Sequence, residues 1–312
     1  MSAPSTGGAS RDGYGTGLLQ IAHDPRVVVL EADLGKSTKS CHFRDQYPDR
    51  TISLGIAEQN MMLVAAGLAS CGKIPFASTF AIFTERAFEQ IRNGIARPEL
   101  NVHICGSHGG IHTGTDGSSA QSIEDLALYR TIPGMTVLHP CDDLSTAELT
   151  VQLLEHNQPS YTRTARNKTP RLYDEESSRS LKIGKGSILR DGEDVAIIAC
   201  GVMVYKAMKV ADILQADGIS TTVIDMHTIK PLDTELVSDL ARRCNGIVTV
   251  EDHSVIGGLG SAVASHLSTT NPTRIKMLGV DDRFGESGGS EELLKLMSLD
   301  ISDIEAACRG LL

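Results

Sequence analysis

Short apolar segments alternate with longer helical patterns along most of this 312-residue chain, and this alternation constrains the fold more than any other feature. Residues 27–30 and 74–79 are nearly continuous apolar or β-branched runs, as strands buried on both faces should be. Residues 58–70, between them, have the length and apolar content of a helix. Strands and helices that alternate at this spacing predict a mostly parallel sheet covered by helices on both faces.

The alternation stops in a stretch rich in charge, Ser and Thr, and it resumes at the strand-like run 195–200. We therefore predict an α/β fold with two doubly wound domains, each built on a mostly parallel sheet. The expected divisions are a flexible tail at 1–10, a first domain at 11–170, a linker at 171–190 and a second domain at 191–312.

The composition excludes several classes of protein. With 29 Lys and Arg against 39 Asp and Glu, the net charge of −10 argues against binding to nucleic acid or to anionic membranes. The 7 Cys contain no C-x-x-C pair, so neither a disulfide scaffold nor a Cys-rich zinc site is expected. The first residues lack a signal-peptide pattern, and the longest apolar run, 195–204, is about half a membrane span. We expect a soluble, cytoplasmic protein.

Two polar loops follow predicted strands, at 33–38 and at 107–117. Ligands of open α/β sheets bind at the carboxyl ends of the strands, which makes both loops candidates for a site. The second, here called the glycine-rich loop, belongs to a stretch in which Gly lets backbone approach a ligand closely. His103, His108 and His112 do not have the spacing of a helical zinc site beside a Glu base, so no metal ligand is expected.

Glu58 opens a predicted helix directly after a strand, while Phe80 and Phe83 stand three apart and are two of only 6 Phe. The carboxylate can complement the helix dipole or act on a ligand, and the pattern leaves both interpretations open. The phenylalanines can belong to the core or stack on a flat aromatic ligand.

Four stretches, taken together, resemble the transketolase family, namely the C-terminal half of a thiamine diphosphate enzyme. They are Gly-Ile-Ala-Glu-Gln-Asn-Met at 55–61, Ser-Thr-Phe-Ala-Ile-Phe at 78–83, the segments 116–119 and 123–127, and Val-Glu-Asp-His at 250–253 with Gly-Gly-Leu-Gly at 257–260. Their order and spacing are specific, and the resemblance runs from about residue 11 to residue 286. It implies a thiamine diphosphate pyrimidine-binding domain followed by a transketolase C-terminal domain.

The resemblance implies that five residues contact the cofactor. Glu58 looks like the catalytic glutamate that hydrogen-bonds N1′ of the aminopyrimidine. Phe80 and Phe83 resemble the aromatic wall against the pyrimidine ring, and Ile56 lies where family backbone meets that ring. Arg86 stands where some members have Tyr.

A second set of residues resembles the family's substrate site. His108 looks like the active-site histidine near the sugar, which gives it a catalytic role, and Asp116 looks like the aspartate that contacts a substrate hydroxyl. Arg11, Ser37 and Arg166 fall where the family holds the terminal phosphate. Two guanidiniums and a hydroxyl suit a dianion, because Arg presents a planar fork of donors.

The chain departs from the family pattern beside Asp116. Thr115 replaces an acid of many members, and Ala120 stands where many have a histidine that faces the donor sugar. We therefore also consider an anionic sugar other than an ordinary pentose phosphate, with another terminal anion or a branched skeleton.

The family holds the diphosphate through Mg²⁺ with a Gly-Asp-Gly motif in its N-terminal half, and this chain contains no Gly-Asp-Gly. The resemblance therefore predicts the second subunit of a split transketolase, a transferase that moves a two-carbon ketol unit from a ketose to an aldose. Its expected cofactors are thiamine diphosphate and Mg²⁺, the latter held mainly by an N-terminal partner subunit. The expected assembly is α2β2.

Three alternatives remain at this stage: the β subunit of a 2-oxo acid dehydrogenase, a deoxyxylulose-phosphate-synthase type of enzyme, and a non-catalytic subunit that retains the fold. The sequence Glu58-Gln59-Asn60-Met61 and the loop around Asp116 favour transketolase over the first. Retention of the implied cofactor and substrate residues argues against the last.

Overall fold

A computed structural model describes residues 7–312, so the first six residues of the expected tail lie outside the described part. The strands are β1 (Val27–Glu31), β2 (Thr51–Ser53), β3 (Ile74–Phe80), β4 (His103–Ser107), β5 (Thr136–Leu138), β6 (Ser160–Thr164), β7 (Ser187–Arg190), β8 (Val195–Ala199), β9 (Thr221–Asp225), β10 (Thr228–Lys230), β11 (Ile247–Ser254) and β12 (Ile275–Val280).

The α-helices are α1 (Ser10–Gln20), α2 (Gly35–Thr38), α3 (Cys41–Gln46), α4 (Glu58–Ser70), α5 (Ala81–Arg86), α6 (Phe88–Gln90), α7 (Asp125–Thr131), α8 (Asp143–Gln152), α9 (Glu175–Ser178), α10 (Met203–Ala216), α11 (Thr234–Arg243), α12 (Leu259–Thr270), α13 (Ser290–Leu296) and α14 (Ile301–Arg309). Short 3₁₀ turns lie at Pro48–Arg50, Ile111–Asp116 and Leu153–Glu155, and a π-helical turn lies at Ile91–Ala96. In the described residues, no helix combines the length and the apolar character that crossing a membrane requires.

The strands form two sheets, and the predicted α/β class is confirmed. The first sheet has the order β10-β5-β6-β4-β3-β1-β2, and the second has the order β12-β11-β8-β9-β7. Pairing is parallel except where β10 joins β5 and β7 joins β9, each at one edge of its sheet. Strands such as β1 and β8 are buried along their whole length, which is why their sequences are almost entirely apolar.

Strand β10 links the two sheets, because it follows a strand of the second sheet along the chain but belongs to the first sheet. β10 follows β9 of the second sheet, yet it pairs antiparallel with β5 of the first, with Thr228 opposite Leu138. Beside this pair the His139 N–H donates to the His227 carbonyl at 2.8 Å. The C-terminal part of the chain therefore contributes an edge strand to the sheet of the N-terminal part.

The expected tail and linker both contain ordered structure. Ala9 forms an antiparallel bridge with Lys168, and α1 already begins at Ser10. Residues 171–190 include α9, which Asp174 caps by accepting backbone N–H groups, and β7, which pairs with β9. The polar composition predicts a surface connection here. Residues 187–190 are instead an edge strand of the second sheet.

Strand β6 was not predicted, because Ser, Thr and Arg fill most of its positions. Every residue of β6 is nevertheless buried between β4 and β5. Several of its polar groups find partners inside the protein: the Tyr161 hydroxyl donates to Asp125 Oδ2 at 2.6 Å, and Arg163 Nη2 donates to the Ser122 carbonyl at 2.6 Å, whereas the Thr162 hydroxyl has no partner among the described residues. Satisfied hydrogen bonds allow a polar strand to occupy a central position.

The sequence patterns of residues 84–96 and 122–131 each predict one helix, and both segments form shorter helices. Residues 84–96 are divided among α5, α6 and the π-helical turn, with a break at Ala87. In the second segment the helix begins only at Asp125. Ser122 is instead extended, because it forms a parallel bridge with Gly109 and its carbonyl accepts the Gly110 N–H at 2.7 Å.

Candidate active site

The carboxyl ends of neighbouring strands in the first sheet carry most of the candidate residues. Ser37 lies in α2 beyond the end of β1, Phe80 ends β3, His108 follows β4, and Arg166 follows β6. β1, β3, β4 and β6 are adjacent in that order across the sheet. Parallel strands end at one edge, so residues far apart in sequence meet where open α/β sheets bind ligands.

The structure brings together the five residues that resemble a substrate site, here called the arginine cluster: Arg11, Ser37, His108, Asp116 and Arg166. Arg11 Nη1 donates to the Ser37 carbonyl at 3.0 Å and lies 3.4 Å from His108 Nε2. Arg166 Nε lies 3.3 Å from Asp116 Oδ2. Burial lowers the pKa of Arg11, and the nearby Arg166 charge lowers it further while Asp116 opposes this. The cluster therefore contains two cations and one anion in close range.

His108 is held in an unusual conformation at the centre of the cluster. Its backbone is left-handed, with φ at +62°, a conformation that non-glycine residues adopt mainly at sites that other contacts enforce. Its Nδ1 lies 2.9 Å from Ser107 Oγ. Burial, followed by the charges of Arg11 and Arg166, lowers the pKa of His108 to about 3. The imidazole is therefore neutral near pH 7 and can both donate and accept hydrogen bonds.

Glu58 lies at the start of α4, and its carboxylate is only partly satisfied. The residue is 2% exposed, yet Oε2 accepts no hydrogen bond from residues 7–312. Arg86 Nη1 lies 3.6 Å away, but its side chain is 60% exposed, which makes the ion pair weak. Ile56, 76% exposed, lines the same groove as Glu58 and Arg86. We call this feature the carboxylate groove.

A row of rings, continued by the Arg86 guanidinium 6.0 Å from the centre of the Phe83 ring, connects the two ends of the site. Phe80 and Phe83 stack with centroids 5.6 Å apart, and the other neighbour of Phe80 is the His108 ring at 3.9 Å. Both phenylalanines are half-buried, so neither is an ordinary core residue. The candidate cofactor wall and the arginine cluster are therefore in direct contact.

The glycine-rich loop packs on a buried arginine that the sequence did not indicate as a functional residue. Arg163 is almost fully buried, and a Cβ on Gly109 would lie 2.0 Å from its Nε, so only glycine fits above it. Its Nη1 donates to the Asp252 carbonyl at 2.7 Å. A single arginine in a Ser/Thr-rich segment carries no local signal of burial. Arg163 is buried because β6 is a central strand, and the polar sequence of β6 does not indicate this.

The chain matches two family models that together span most of its length. The model described as the pyrimidine binding domain of transketolase matches residues 9–171. The model described as the C-terminal domain of transketolase matches residues 184–304.

Curated relatives agree with these matches. A putative transketolase C-terminal section from Methanocaldococcus jannaschii is 44% identical, with 93% of this chain and 92% of that protein covered. The 6-deoxy-6-sulfo-D-fructose transketolase subunit SqwH from Clostridium sp. is 41% identical, with 95% and 92% covered. Human transketolase is 38% identical over 97% of this chain, which spans only 49% of the human enzyme.

A solved structure extends the comparison to three dimensions. A split-gene transketolase described as an inactive β4 tetramer is 45% identical and superposes with a TM-score of 0.91 over 98% of both chains. By sequence and by fold, this chain belongs to the transketolase family and corresponds to its C-terminal half.

Proposed function

We propose that the chain is the second subunit of a split, thiamine diphosphate-dependent transketolase that moves a two-carbon ketol unit from an anionic ketose to an aldose. One observation carries the proposal. A continuous series of contacts links the arginine cluster to a buried carboxylate that has one oxygen without a donor among the described residues: His108 stacks on Phe80, Phe80 stacks on Phe83, and Arg86 lies over the Phe83 ring and pairs with Glu58. Two relatives of about the same length are a putative transketolase C-terminal section and a transketolase subunit, which favours this proposal over the alternatives named above.

The carboxylate groove fits the aminopyrimidine of thiamine diphosphate. Glu58 Oε2 is a buried acceptor that has no hydrogen-bond donor among the described residues, and Ile56 presents an exposed apolar surface beside it. We propose that Glu58 binds the ring and exchanges a proton at this oxygen, while Phe80, Phe83 and Arg86 surround it. When bound, the cofactor stabilises a carbanion, which amino-acid side chains cannot do.

We propose that the arginine cluster binds the substrate. Arg11, Arg166 and Ser37 would hold the terminal anion, since two guanidiniums can each donate more than one hydrogen bond to it. Asp116 would bind a sugar hydroxyl. The Arg166–Asp116 pair is partly exposed to solvent, so exchanging it for contacts with a substrate costs little.

The neutral imidazole of His108 has a separate part in the proposal. Because burial and the two arginines keep its pKa low, it would share a hydrogen bond with a sugar oxygen and would not supply positive charge to the anion. Its stacking on Phe80 fixes the plane of the ring between the anion site and the carboxylate groove.

The proposed substrate class is a ketose with a terminal phosphate or sulfonate. Thr115 and Ala120, which depart from the common family pattern, lie beside Asp116 in or near the glycine-rich loop. A relative of the same length, SqwH, is named for a sulfonated fructose. Guanidinium groups bind either anion, so parallel assays with both kinds of ketose test the choice.

We propose that an N-terminal transketolase subunit with a Gly-Asp-Gly motif completes the enzyme and holds Mg²⁺ and the diphosphate, in an α2β2 assembly in the cytoplasm. Leu63 of α4 is exposed like Ile56, and both would be covered by that partner. In this proposal 11–170 is the pyrimidine-binding domain, 171–190 the linker and 191–312 the C-terminal domain; the matched family ranges support the division.

The test is to purify the chain alone and together with the product of an adjacent gene that contains Gly-Asp-Gly. With thiamine diphosphate and Mg²⁺, the complex should transfer ketol units and the single chain should not. Transfer by the single chain would contradict the split enzyme. Decarboxylation of a 2-oxo acid by the complex, without ketol transfer, would favour the dehydrogenase alternative.

A further inference from the structure

The glycine-rich loop depends on the C-terminal part of the chain for its shape. The loop contains a 3₁₀ turn with a kink at Gly114, where φ is +76°, and Gly110 has φ at +82°. A loop with several left-handed glycines has many alternative conformations in isolation. It also carries two members of the arginine cluster, so whatever selects its conformation also places them.

Asp252, in β11, binds the backbone of the glycine-rich loop directly. Its Oδ1 accepts the Ile111 N–H at 2.7 Å, and its Oδ2 accepts the His112 N–H at 3.0 Å. The side chain is buried, and a Cβ on Gly110 would lie 2.2 Å from Oδ2, so glycine is needed for the approach. A carboxylate that accepts two backbone donors at once fixes both peptide planes.

Two further contacts act on the same loop. Asn167 Nδ2 donates to the His112 carbonyl at 2.7 Å and to Ser290 Oγ at 2.8 Å. Gln121 Nε2 donates to the Gly114 carbonyl at 3.1 Å and, on the C-terminal side, to the Glu286 carbonyl at 2.9 Å. The loop is therefore linked to residues beyond 250 at three places, directly by Asp252 and through Asn167 and Gln121 to Ser290 and Glu286.

We propose that Asp252 is a positioning residue of the substrate site. Its carboxylate binds the backbone N–H groups of Ile111 and His112 and thereby places His108 on one side of the turn and Asp116 on the other. The C-terminal domain thus shapes the substrate end of the site without touching substrate. This inference rests on the proposed function, in which the arginine cluster binds the sugar.

Glu251 provides a matched control in the adjacent position. Its two oxygens accept the N–H groups of Leu259 and Gly260, at 2.7 and 2.8 Å, at the start of α12. It is buried like Asp252 and has the same chemistry, but it binds a helix end and not the glycine-rich loop. Loss of a buried carboxylate with two donors should cost similar stability at either position.

The first experiment measures hydrogen exchange in the isolated full chain. In Asp252→Asn, one oxygen is replaced by an amide that faces a donor, so exchange at Ile111 and His112 should accelerate at least tenfold. Glu251→Gln should instead accelerate exchange at the start of α12. Unchanged exchange at Ile111 and His112 in a folded Asp252→Asn chain would overturn the inference. Asp252→Ser, with a smaller neutral group, serves the same comparison if the amide variant does not fold.

The second experiment measures steady-state kinetics of the complex with its partner. Asp252→Asn should raise KM for the ketose about tenfold and leave thiamine diphosphate affinity unchanged, while Glu251→Gln changes neither. In an Asp116→Ala background the same substitution should raise KM less than threefold, because residues that act as a unit are not additive. Equal factors in both backgrounds would show a merely structural role and refute the inference.

The same assay separates the inference from the proposed function. Arg166 pairs with Asp116 of the glycine-rich loop, and Arg166→Ala should raise KM whether or not Asp252 positions the loop. If Arg166→Ala raises KM and Asp252→Asn does not, only the positioning role fails. If neither changes KM, the proposed substrate site itself is wrong.

Discussion

The two ends of the site differ in how complete they are within this chain. At the proposed substrate end, which is the arginine cluster, Arg11 bonds to Ser37 and lies against His108, and Arg166 pairs with Asp116. At the proposed cofactor end, which is the carboxylate groove, a buried oxygen of Glu58 has no donor among residues 7–312, and the large apolar side chain of Ile56 lies in solvent.

This difference separates what the chain does alone from what it does with a partner. A preformed cluster needs little reorganisation to bind an anion, since its side chains already hold one another in place. The carboxylate groove instead has an unpaired acceptor and exposed apolar surface, which are stabilised only when something covers them. We therefore expect sugar anions to bind weakly to the single chain, and the cofactor to require the complex.

The largest expected effect comes from removing the carboxylate of the cofactor end. Glu58→Ala should lower kcat of the complex at least a hundredfold, because positioned proton transfer contributes about 10²–10⁴ in rate. It should change the melting temperature of the single chain little, because the cost of a buried oxygen without a donor opposes the weak ion pair with the exposed Arg86. Paired activity and thermal-unfolding measurements test both statements.

Glu89→Ala, at an exposed acid of α6, is the control for Glu58→Ala and should leave both quantities unchanged. A Glu58→Ala complex with normal activity would remove the catalytic assignment. It would also restore the alternative of a subunit that retains the fold without the chemistry.

The next effect should appear at the substrate end. Arg166→Ala should raise KM for an anionic ketose about 10- to 100-fold, since a charge-assisted hydrogen bond contributes roughly 1.5–3 kcal/mol. kcat should change much less, because the anion is remote from the reacting carbons. Initial rates with phosphorylated and sulfonated ketoses provide the measurement.

Lys168→Ala removes an exposed cation two residues away and is the control for Arg166→Ala. If both variants raise KM equally, the effect reflects general attraction of the substrate and not a defined anion site. Raising the ionic strength should weaken such general attraction far more than binding in the cluster.

The same contrast explains how much the sequence could reveal. The sequence indicates Glu58, Phe80, Phe83 and His108 as candidates because they lie at or shortly after strands, where local pattern and family resemblance coincide. Their proximity follows from the parallel order of the strands, which the alternation predicts.

Contacts between distant segments were not accessible in this way. Asp252 belongs to the stretch 250–253, which resembles the family. Its partners lie about 140 positions earlier, and only the packing of the N-terminal and C-terminal parts of the chain brings them together. β6 is not recognisable from the sequence because most of its residues are polar; the partners of Tyr161 and Arg163 are Asp125 and Ser122, neither of which is a sequence neighbour. The crossing of β10 into the first sheet is likewise a tertiary effect.

A third prediction concerns pH and tests whether the cluster is preformed without substrate. Burial lowers the pKa of His108 to about 3 in the folded chain, against about 6.5 when unfolded. Below pH 6.5 the unfolded state binds one more proton, so the free energy of unfolding falls as pH falls. For this residue the slope is about 1.4 kcal/mol per pH unit. His108→Asn should remove that part of the slope in urea unfolding between pH 6.5 and 4.

Ser37→Ala removes a nearby side chain that does not titrate, so it should leave the slope unchanged. If His108→Asn also leaves it unchanged, His108 is protonated in the folded chain. The cluster would then carry another positive charge at low pH, and it would not be preformed with a neutral imidazole.

The smallest expected effect is at the ring that borders the cofactor end. Phe83 stacks on Phe80 and is only half-buried, so Phe83→Leu retains most of the apolar surface and loses the aromatic face that we propose to lie against the cofactor. Aromatic pairs contribute about 0.5–1.5 kcal/mol beyond burial, which corresponds to a roughly 2- to 10-fold loss in thiamine diphosphate affinity of the complex. Phe284→Leu, at an exposed phenylalanine of the C-terminal part, should leave cofactor titrations unchanged. KM for the ketose should stay constant in both variants, because the Phe80 ring separates Phe83 from His108. A change in KM without a change in cofactor affinity would place Phe83 at the substrate end.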